Sequence, residues 1–326
     1  MAAEAQSGGA KVQPGSVDVN IRGRKVRLAY LVAGPQGGMA GEPAAAATGA
    51  SAAAGAGDPP AVLLVHGIGG SSTQWQLTLP ALAGAGYFAI APDMPWFGES
   101  GDGPRPALFA DFAEGLAGLL RERFPRGAHI AGQSFGGLVA QDLALRYPAC
   151  ALSLTLICSL GAPERRETGD GTGAKPRARR LPAHARRAAS FLLGLRVTRA
   201  LLVAVLASPL GARILGRRLV GNPGAMPRGL RWDMGRALRQ TRIMRSGIDP
   251  HLPDLSAGLR GLAVPAMVVC GENDTIVPPV VGRDLAACLS TPRFEVIAGC
   301  GHLPMLEKPR ALAALLLSFF AAAGRA

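Results

Sequence analysis

Short runs of apolar residues, bounded by turns rich in Gly and Pro, recur along this chain of 326 residues. Runs of this length between turn residues are typical of strands buried in a sheet. They predict strands at Lys25–Val32, Ala61–Val65, Tyr87–Ala91, Ala128–Gly132, Pro265–Cys270 and Arg293–Ala298, with a further core strand ending near Ser159. After the fourth run the apolar period becomes that of a helix packed on a sheet, at Leu138, Val139, Leu143, Ala144 and Tyr147. A sharp turn from strand to helix is therefore predicted near residue 134.

This predicted turn carries the segment Gly132-Gln133-Ser134-Phe135-Gly136. A Gly-x-Ser-x-Gly segment between a strand and a helix holds its serine on a strained turn at the end of the sheet. Small flanking residues are needed there, because a Cβ at 132 or 136 would strike the neighbouring strand or helix. The string alone is weak evidence in a chain with 44 glycines. Its setting between a strand and a helix favours Ser134 as a nucleophile.

A serine hydroxyl is a poor nucleophile until a base takes its proton, so a serine enzyme also needs a histidine and a group that orients it. Of the five histidines, His66 lies in a Gly-rich turn, and His302 is the one that follows a predicted strand on a loop where side chains can converge on a site. Asp274 likewise follows the strand Pro265–Cys270. Taken singly, the plainer interpretations are a turn or helix cap for the aspartate and a solvated surface residue for the histidine. Three residues in the order Ser, Asp, His, each after a strand, favour a catalytic triad of Ser134, Asp274 and His302.

Two further loops carry specific motifs. His66-Gly67-Ile68-Gly69-Gly70 follows the strand Ala61–Val65, and Asp93-Met94-Pro95-Trp96-Phe97-Gly98-Glu99-Ser100 follows the strand Tyr87–Ala91. Together with the triad order, these motifs resemble the α/β-hydrolase superfamily, of the lid-bearing serine esterase and lipase type, from about Val62 to Phe320. The resemblance implies an α/β fold with a mostly parallel central sheet, helices on both faces and a helical lid insertion.

The resemblance also implies roles for backbone groups in these loops. In the family, the oxyanion hole takes one N–H from the first loop, which by position is that of Ile68, and one from the residue after the nucleophile, here Phe135. Acyl transfer builds negative charge on the carbonyl oxygen, and a preorganised pair of N–H groups stabilises that charge. A structural role in turns is expected for His66, Gly67, Asp93, Gly98, Gly132 and Gly136.

The type of nucleophile narrows the reaction. Epoxide hydrolases and haloalkane dehalogenases share this scaffold but attack with an aspartate, so Ser134 argues against both. Ester and thioester hydrolysis, acyl transfer to an alcohol, carbon–carbon bond hydrolysis of diketone-like substrates and perhydrolysis stay compatible. We predict a hydrolase of small-molecule carboxylic esters with lipid-like or aromatic acyl groups, working through an acyl-enzyme without a cofactor. The other reactions remain alternatives, as does a non-enzymatic role, since a fold does not fix function.

An apolar substrate pocket is expected beside the triad. Together with residues of the lid, its predicted lining residues are Trp75, Trp96, Phe97, Val277 and Leu303. The last two are chosen for their loop position next to the triad. Family members often carry glycine where Trp96 stands, so this ring either projects toward the substrate or lies buried under the lid.

Composition divides the chain into a core and an insertion. Residues 1–15 are expected to form a disordered start, and 16–160 with 263–326 the catalytic core. Within the core, residues 34–60 are expected to be a flexible surface excursion, because alanine and glycine without larger apolar partners bury too little to fix a conformation. Residues 161–262 are far more than an ordinary connection needs and predict a basic, mainly helical lid.

The basic charge of the protein belongs to this insertion. The chain has a formal net charge of +13, and the segment from Glu164 to Arg245 alone holds nineteen Lys and Arg against four acids. Three explanations stay open: an arginine-rich composition on a solvated face, a lid that faces a membrane surface, and recognition of an anionic acyl carrier. A nucleic-acid partner is not expected, because the segment offers only Phe191 and Trp232 for base stacking.

The cysteines point to no metal site. The five cysteines are dispersed and odd in number, and no Cys-x-x-Cys pair or His/Cys cluster is present in the sequence, so a zinc or iron–sulfur site is not expected. Residues 1–10 do not read as a signal peptide. The expected location is the cytoplasm, with peripheral attachment to a membrane left open.

Overall fold

An eight-stranded sheet forms the centre of the protein in a computed structural model that describes residues 10–35, 59–161, 228–248 and 252–324. The strands are β1 Gln13–Ile21, β2 Arg24–Ala33, β3 Ala61–Val65, β4 Phe88–Pro92, β5 Ala128–Gln133, β6 Ala151–Ile157, β7 Ala266–Gly271 and β8 Arg293–Ile297. Their order across the sheet is β1-β2-β4-β3-β5-β6-β7-β8. Strands β3 to β8 run parallel, while β1 and β2 are antiparallel to their neighbours.

The strand order changes direction at β3. From β3 the chain passes to β4 on one side, and it then crosses over to β5 on the other side of β3. At such a switch point the loops after neighbouring parallel strands leave in opposite directions and open a crevice at the carboxyl ends of the strands. The loops after β3 and β5 border this crevice, and they contain His66 and Ser134 respectively.

Helices cover both faces of the sheet. They are α1 Leu79–Gly84, α2 Ala110–Arg123, α3 Phe135–Arg146, α4 Arg228–Gln240, α5 Ser256–Leu259, α6 Pro279–Ala286, α7 Pro304–Glu307 and α8 Pro309–Ala323. Because strand side chains alternate between the two faces, Leu63 packs with Phe112 of α2 in one core, while Leu64 packs with Leu82 of α1 and Phe320 of α8 in the other. None of the helices in the described ranges combines the length and apolar character needed to cross a membrane.

The predicted α/β-hydrolase fold is confirmed, with one correction at its first strand. Strand β1 begins at Gln13, so residues 13–15 belong to the sheet and not to a disordered start. They pair with Tyr30, Leu31 and Val32 of β2, and the alternation of buried side chains in β1 continues to Ile21. Of the predicted excursion 34–60, residues 36–58 lie outside the described ranges.

Of the predicted lid 161–262, residues 162–227 and 249–251 lie outside the described ranges, and residues 252–262 contain α5. Between these two gaps the structure describes helix α4 and the turn that follows it. This part is fastened to the core by Arg242. Its backbone N–H donates to the carbonyl of Trp96 at 2.7 Å, and its guanidinium forms an ion pair with Asp102 at 2.8 Å. The same guanidinium donates to the carbonyls of Gly98 and Ser100. Helix α4 is thereby held against the loop after β4.

Acid stability should depend on His129, a buried histidine of β5. Its ring stacks on Phe320 at a centroid distance of 4.6 Å, and its Nδ1 lies 2.9 Å from Ser153 Oγ. Burial lowers the pKa of His129 from 6.5 to about 4. As the pH is lowered, the unfolded chain therefore binds a proton at a higher pH than the folded protein does. The stability that the neutral ring contributes is complete above pH 6.5 and is lost as the pH falls toward 4. The free energy of unfolding should fall by about 3 kcal/mol over this range from His129 alone.

Urea unfolding at several pH values, with the His129→Gln variant as the comparison, measures this contribution. The variant is expected to be less stable at pH 7 but to lose less stability on acidification. The lowered pKa of the other buried core histidine, His66, is present in both proteins, so the difference between the two slopes reports on His129. Equal slopes would show that His129 does not titrate in this range.

Candidate active site

Ser134 lies on a strained turn between β5 and α3, at the edge of the crevice. Its backbone angles are φ 54° and ψ −118°, a conformation that residues with a side chain rarely adopt. The turn is held by its neighbours, since the Ser134 N–H donates to Ile157 of β6 at 3.0 Å and its carbonyl accepts from Gly137 at 3.0 Å. The predicted sharp turn from strand to helix is present, and its serine is only 6% exposed.

Three glycines make room for the close approach of backbone segments at this turn. A Cβ on Gly132 would strike the backbone of Gly136, and a Cβ on Gly136 would strike the backbone of Val65 and His66. A Cβ on Gly137 would meet the side chain of Ser159. The clashes at 132 and 136 are with backbone atoms, which cannot rotate away. The glycines therefore allow the turn after β5, the loop after β3 and helix α3 to approach one another.

The Gly136→Ala substitution should destabilise the protein by at least about 2 kcal/mol, because the new methyl group meets backbone carbonyls of the central strand. Gly84→Ala, at the exposed end of α1, is the matched control, since no atom lies within 4 Å of the added Cβ. The control should gain up to about 1 kcal/mol from the reduced entropy of its unfolded chain. Chemical denaturation of the two variants measures both effects, and equal stabilities would contradict the role given to Gly136.

His302 and Asp274 form a buried hydrogen-bonded pair at the same edge of the sheet. The Nδ1 of His302 lies 2.7 Å from Oδ2 of Asp274, and the two residues are 4% and 3% exposed. The other carboxylate oxygen accepts the N–H groups of Ile276 at 2.8 Å and Val277 at 2.9 Å. Because the carboxylate is an acceptor, Nδ1 carries the proton and Nε2 is left as the basic nitrogen of the ring.

Two side chains that sequence reasoning did not single out hold the histidine loop. Gln133 donates to the His302 carbonyl at 3.0 Å, which ties this loop to the residue before Ser134. The carboxylate of Glu307 accepts the N–H groups of Gly301 at 2.9 Å and Leu303 at 3.1 Å, on both sides of His302. An acid in the first turn of a short helix, five residues after the histidine, was the available signal for Glu307. Position 133 carried no such signal.

The two predicted oxyanion donors flank Ser134 from different loops. Gly67 to Gly70 form a turn closed by a 3.0 Å hydrogen bond between these two residues, and Ile68 lies within it and is 59% exposed. A Cβ on Gly67 would lie 3.3 Å from the Cβ of Ser134, so this loop passes directly against the serine. Phe135 is the first residue of α3, where N–H groups have no partner within the helix. The convergence of both N–H groups on a substrate oxygen stays a prediction.

The remaining turn residues form a hydrogen-bonded network that joins the loops after β3 and β4. His66 Nδ1 lies 2.8 Å from the Gly67 carbonyl, while its Nε2 accepts the Met94 N–H at 3.0 Å. Burial lowers the pKa of His66, which keeps the ring neutral as this pattern requires. The carboxylate of Asp93 accepts N–H groups of Ser72 and Glu99.

Gly98 completes this network through its backbone. Its φ of 46° is a conformation that favours glycine. An added Cβ would also collide with the Asp93 carboxylate. A side chain at 98 would therefore disturb the group that holds the loop together.

The residues predicted to line the pocket separate into two groups. Trp75, Trp96 and Phe97 are completely buried and are members of the two hydrophobic cores. Val277 and Leu303 lie beside the pair of Asp274 and His302. Contact of any of the five with a substrate stays a prediction.

Trp96 has an unusual backbone conformation. Its φ is 74°, in the left-handed region that favours glycine. This conformation agrees with the glycine that the resemblance to the family leads one to expect at this position. The guanidinium of Arg105 lies 4.9 Å from the centre of its ring. The structure therefore shows the Trp96 side chain buried in the core.

In the described part of the chain, one group of side chains has the composition of a metal site: Cys158, Asp274 and His302, whose ligand atoms lie within 4.8 Å of one another. The 2.7 Å contact between Nδ1 and the carboxylate already occupies the facing atoms of two members. Burial raises the pKa of the Cys158 thiol well above its usual value, which disfavours the thiolate that a metal needs. The group fits a hydrogen-bonded pair with a neighbouring thiol.

A mostly parallel eight-stranded sheet with a strained serine turn at its switch point defines an α/β hydrolase fold. Residues 62–315 match the Alpha/beta hydrolase family, and the chain belongs to this family.

The relatives include esterases and a hydrolase of another substrate. The chain is 27% identical over 261 residues to a pimeloyl-(acyl-carrier protein) methyl ester esterase of Photobacterium profundum, covering 79% of this chain and 93% of that protein. It superposes on a thermophilic esterase from Thermogutta terrifontis with a TM-score of 0.67 and 21% identity, over 95% of this chain and 99% of that one. A 2-hydroxy-6-oxo-6-phenylhexa-2,4-dienoate hydrolase of a Rhodococcus species gives a TM-score of 0.62 and 22% identity, over 95% and 100% of the two chains. These two structural likenesses show the fold, and the relatives support a hydrolase.

Proposed function

We propose that this protein hydrolyses carboxylic esters through a triad of Ser134, His302 and Asp274. The observation that carries the proposal is the pairing of two features at one edge of the sheet. A serine stands at φ 54° on the turn after β5, and a buried histidine, bonded to a carboxylate at 2.7 Å, follows β8. The Gln133 side chain joins the two loops by its 3.0 Å bond to His302.

The proposed reaction is a two-step acyl transfer. His302 Nε2 takes the proton of Ser134 as its Oγ attacks the ester carbonyl, and Asp274 stabilises the imidazolium that forms. The N–H groups of Ile68 and Phe135 stabilise the charge on the carbonyl oxygen. The alcohol leaves with the proton from His302. Water then attacks the acyl-enzyme by the same route, and the acid is released with Ser134 restored.

An ester is favoured over the other bonds by the sequence relative of Photobacterium profundum, a methyl ester esterase that the alignment covers over 93% of its length. We further propose an acyl group that is lipid-like or aromatic. Val277 and Leu303 place apolar side chains next to the catalytic pair, and apolar side chains suit such acyl groups.

We propose that the basic insertion binds an anionic partner during this reaction. In its described end, Arg236, Arg239 and Arg245 are exposed, and the insertion as a whole holds most of the positive charge of the chain. An anionic membrane surface and an acidic acyl carrier are the two partners with matching chemistry. Both would raise activity at low salt and lose that effect at high salt.

The test is a series of p-nitrophenyl esters of increasing acyl length, with a vinylogous diketone as the carbon–carbon substrate. Wild type, Ser134→Ala and Ser290→Ala are compared. Ser290 is an exposed serine just before β8, at the opposite end of the strands, and serves as the matched control. Esterase activity in wild type and Ser290→Ala, absent in Ser134→Ala, is the expected result.

Other results would assign another function. Cleavage of the diketone without ester hydrolysis would make the protein a carbon–carbon hydrolase on the same residues. Failure of Ser134 to react with a fluorophosphonate probe, together with no turnover of any substrate, would favour a non-enzymatic role. Ester hydrolysis that persists in Ser134→Ala would remove the triad assignment itself.

A further inference from the structure

The side chain of Gln133 lies where three loops of the candidate site meet. Gln133 is the last residue of β5, directly before Ser134, and only 1% of its surface is exposed. Its Nε2 donates to the carbonyl of His302, in the histidine loop 298–303, at 3.0 Å. The other atom of the amide, Oε1, lies against Gly67, where it occupies the space that a Cβ at this position would need. One buried amide therefore contacts both the loop after β8 and the loop after β3.

The backbone of Gln133 is fixed by the sheet. Strand β5 lies between β3 and β6, and Gln133 pairs with Ile157 of β6. The N–H of the next residue, Ser134, donates to the carbonyl of Ile157 at 3.0 Å. A side chain that starts from a paired strand can place its end group precisely. The same short segment thus holds Ser134 through its backbone and His302 through the Gln133 side chain.

A second side chain, that of Glu307, also holds the histidine loop. Its carboxylate accepts the N–H groups of Gly301 and Leu303, at 2.9 and 3.1 Å. Because Glu307 lies on α7, directly after this loop, its contacts fix the local shape of the loop. Gln133 lies on the strand before Ser134 instead. Of the two contacts, that of Gln133 is therefore the one that relates the loop to the turn of the nucleophile.

We propose that Gln133 is a positioning residue, which holds His302 at the distance from Ser134 that proton transfer requires. The inference rests on the proposed function, in which the Ser134 O–H bond breaks as an Nε2–H bond forms on His302, and this proton then passes to the leaving alkoxide. Both transfers need hydrogen-bond distances, and a misplacement of about 1 Å costs on the order of 10²-fold in rate. Gln133 acts through the histidine and not on the substrate.

The leaving group of the ester distinguishes a displaced histidine from a loss of folded protein. Methoxide is a strong base and needs the proton of His302 in order to leave, whereas p-nitrophenolate is a weak base and leaves without it. A displaced His302 therefore slows a methyl ester more than a p-nitrophenyl ester of the same acid. A smaller fraction of folded protein lowers the two rates by the same factor.

The experiment measures kcat/KM, which reports on acylation, for the methyl and p-nitrophenyl esters of one acid in wild type and Gln133→Met. Methionine is similar in length to glutamine and fills buried space, but it has no amide. The matched control is Gln141→Met. Gln141 is also completely buried, and its Nε2 donates to the carbonyl of Leu160 at 2.7 Å, which joins α3 to the segment after β6 and not to the histidine loop. Melting temperatures are measured for all three proteins.

In Gln133→Met, kcat/KM should fall about tenfold for the p-nitrophenyl ester and about 100-fold for the methyl ester. The ratio of the two rates thus falls about tenfold. Both variants should melt at a lower temperature than wild type, because each leaves a buried carbonyl without its donor. In Gln141→Met, however, the ratio should stay within about twofold of the wild-type value.

A second variant, Gln133→Asn, serves if Gln133→Met does not fold. It keeps an amide on a side chain shorter by one methylene group, which cannot span the 3.0 Å bond to His302. The same fall in the ratio is expected. A wild-type ratio in a folded variant at 133 would overturn the proposal, and so would an equal fall of the ratio in Gln141→Met.

The rate at which a fluorophosphonate labels Ser134 separates this proposal from the proposed function. If wild type hydrolyses no ester, slower labelling in Gln133→Met than in Gln141→Met would uphold the role of Gln133 and reject the esterase. Equal labelling rates, or no labelling of wild type, would reject both. Ester hydrolysis that depends on Ser134, with an unchanged ratio in Gln133→Met, would keep the esterase and reject the role of Gln133.

Discussion

Ser134→Ala is expected to lower kcat for a p-nitrophenyl ester by at least about 10⁵-fold while the protein stays folded. The methyl group cannot form the acyl-enzyme, and the remaining N–H groups and bound substrate supply only residual catalysis. The turn itself does not depend on the hydroxyl, because its conformation is held by backbone hydrogen bonds to Ile157 and Gly137. Steady-state kinetics with thermal unfolding measure both properties, with Ser290→Ala as the control at wild-type rate.

Ser134→Gly separates the chemistry from the strain of the turn. It removes the same hydroxyl, so its activity should match that of the alanine variant. At φ 54° and ψ −118°, however, glycine is unstrained where alanine is not. The glycine variant should therefore be more stable than the alanine variant by about 1 kcal/mol. A more stable alanine variant would contradict the strain assigned to this residue.

Asp274→Asn is expected to lower kcat on the order of 10⁴-fold. An amide facing His302 can donate to Nδ1, which places the ring proton on Nε2 and removes the base from the side of Ser134. The amide would also lose the negative charge that stabilises the imidazolium. The geometry of the loop should remain, because the Oδ1 that accepts from Ile276 and Val277 has an equivalent in the amide oxygen.

Glu272→Gln is the matched control for this substitution. Glu272 lies two residues away on the same loop and is exposed, and its carboxylate accepts the Gly299 N–H at 2.8 Å. Its kcat should stay within about twofold of the wild type, since surface substitutions away from buried groups have small effects. If Asp274→Asn kept wild-type kcat, another acid would have to orient His302.

Much of the sheet could be predicted because its central strands are buried on both faces and appear in the sequence as continuous apolar runs. The strand before Ser134 is of this kind: every residue of β5 is buried. Strand β1 was not predicted as a strand, because it contains Pro14 and Gly15 and only its later half alternates between buried and exposed positions. At the edge of a sheet, pairing with β2 compensates for the weak local signal.

The site could be predicted only as far as each residue follows its own strand. Ser134, Asp274 and His302 each follow a strand that can be recognised in the sequence. All three were therefore expected at the same edge of the sheet. The contacts of Gln133, Cys158 and Glu307 depend on how loops from different strands approach one another, and sequence spacing does not record that distance. The left-handed backbone of Trp96 also depends on contacts between segments, since its N–H donates to Gly101 and its carbonyl accepts from Arg242.

The anchoring of Arg242 bears on how an insertion of this kind could be exchanged between relatives. Residues 241–248 belong to the predicted insertion 161–262, yet Ile243 is buried in a core and the Ser246 carbonyl accepts the Ala107 N–H at 2.9 Å. These residues therefore attach the insertion to the core. A chimera in which the whole insertion, up to residue 262, came from a relative would therefore lose these contacts with the core. A junction placed before Thr241 would transfer the preceding part of the insertion alone and keep the contacts of residues 241–248 with the loop after β4.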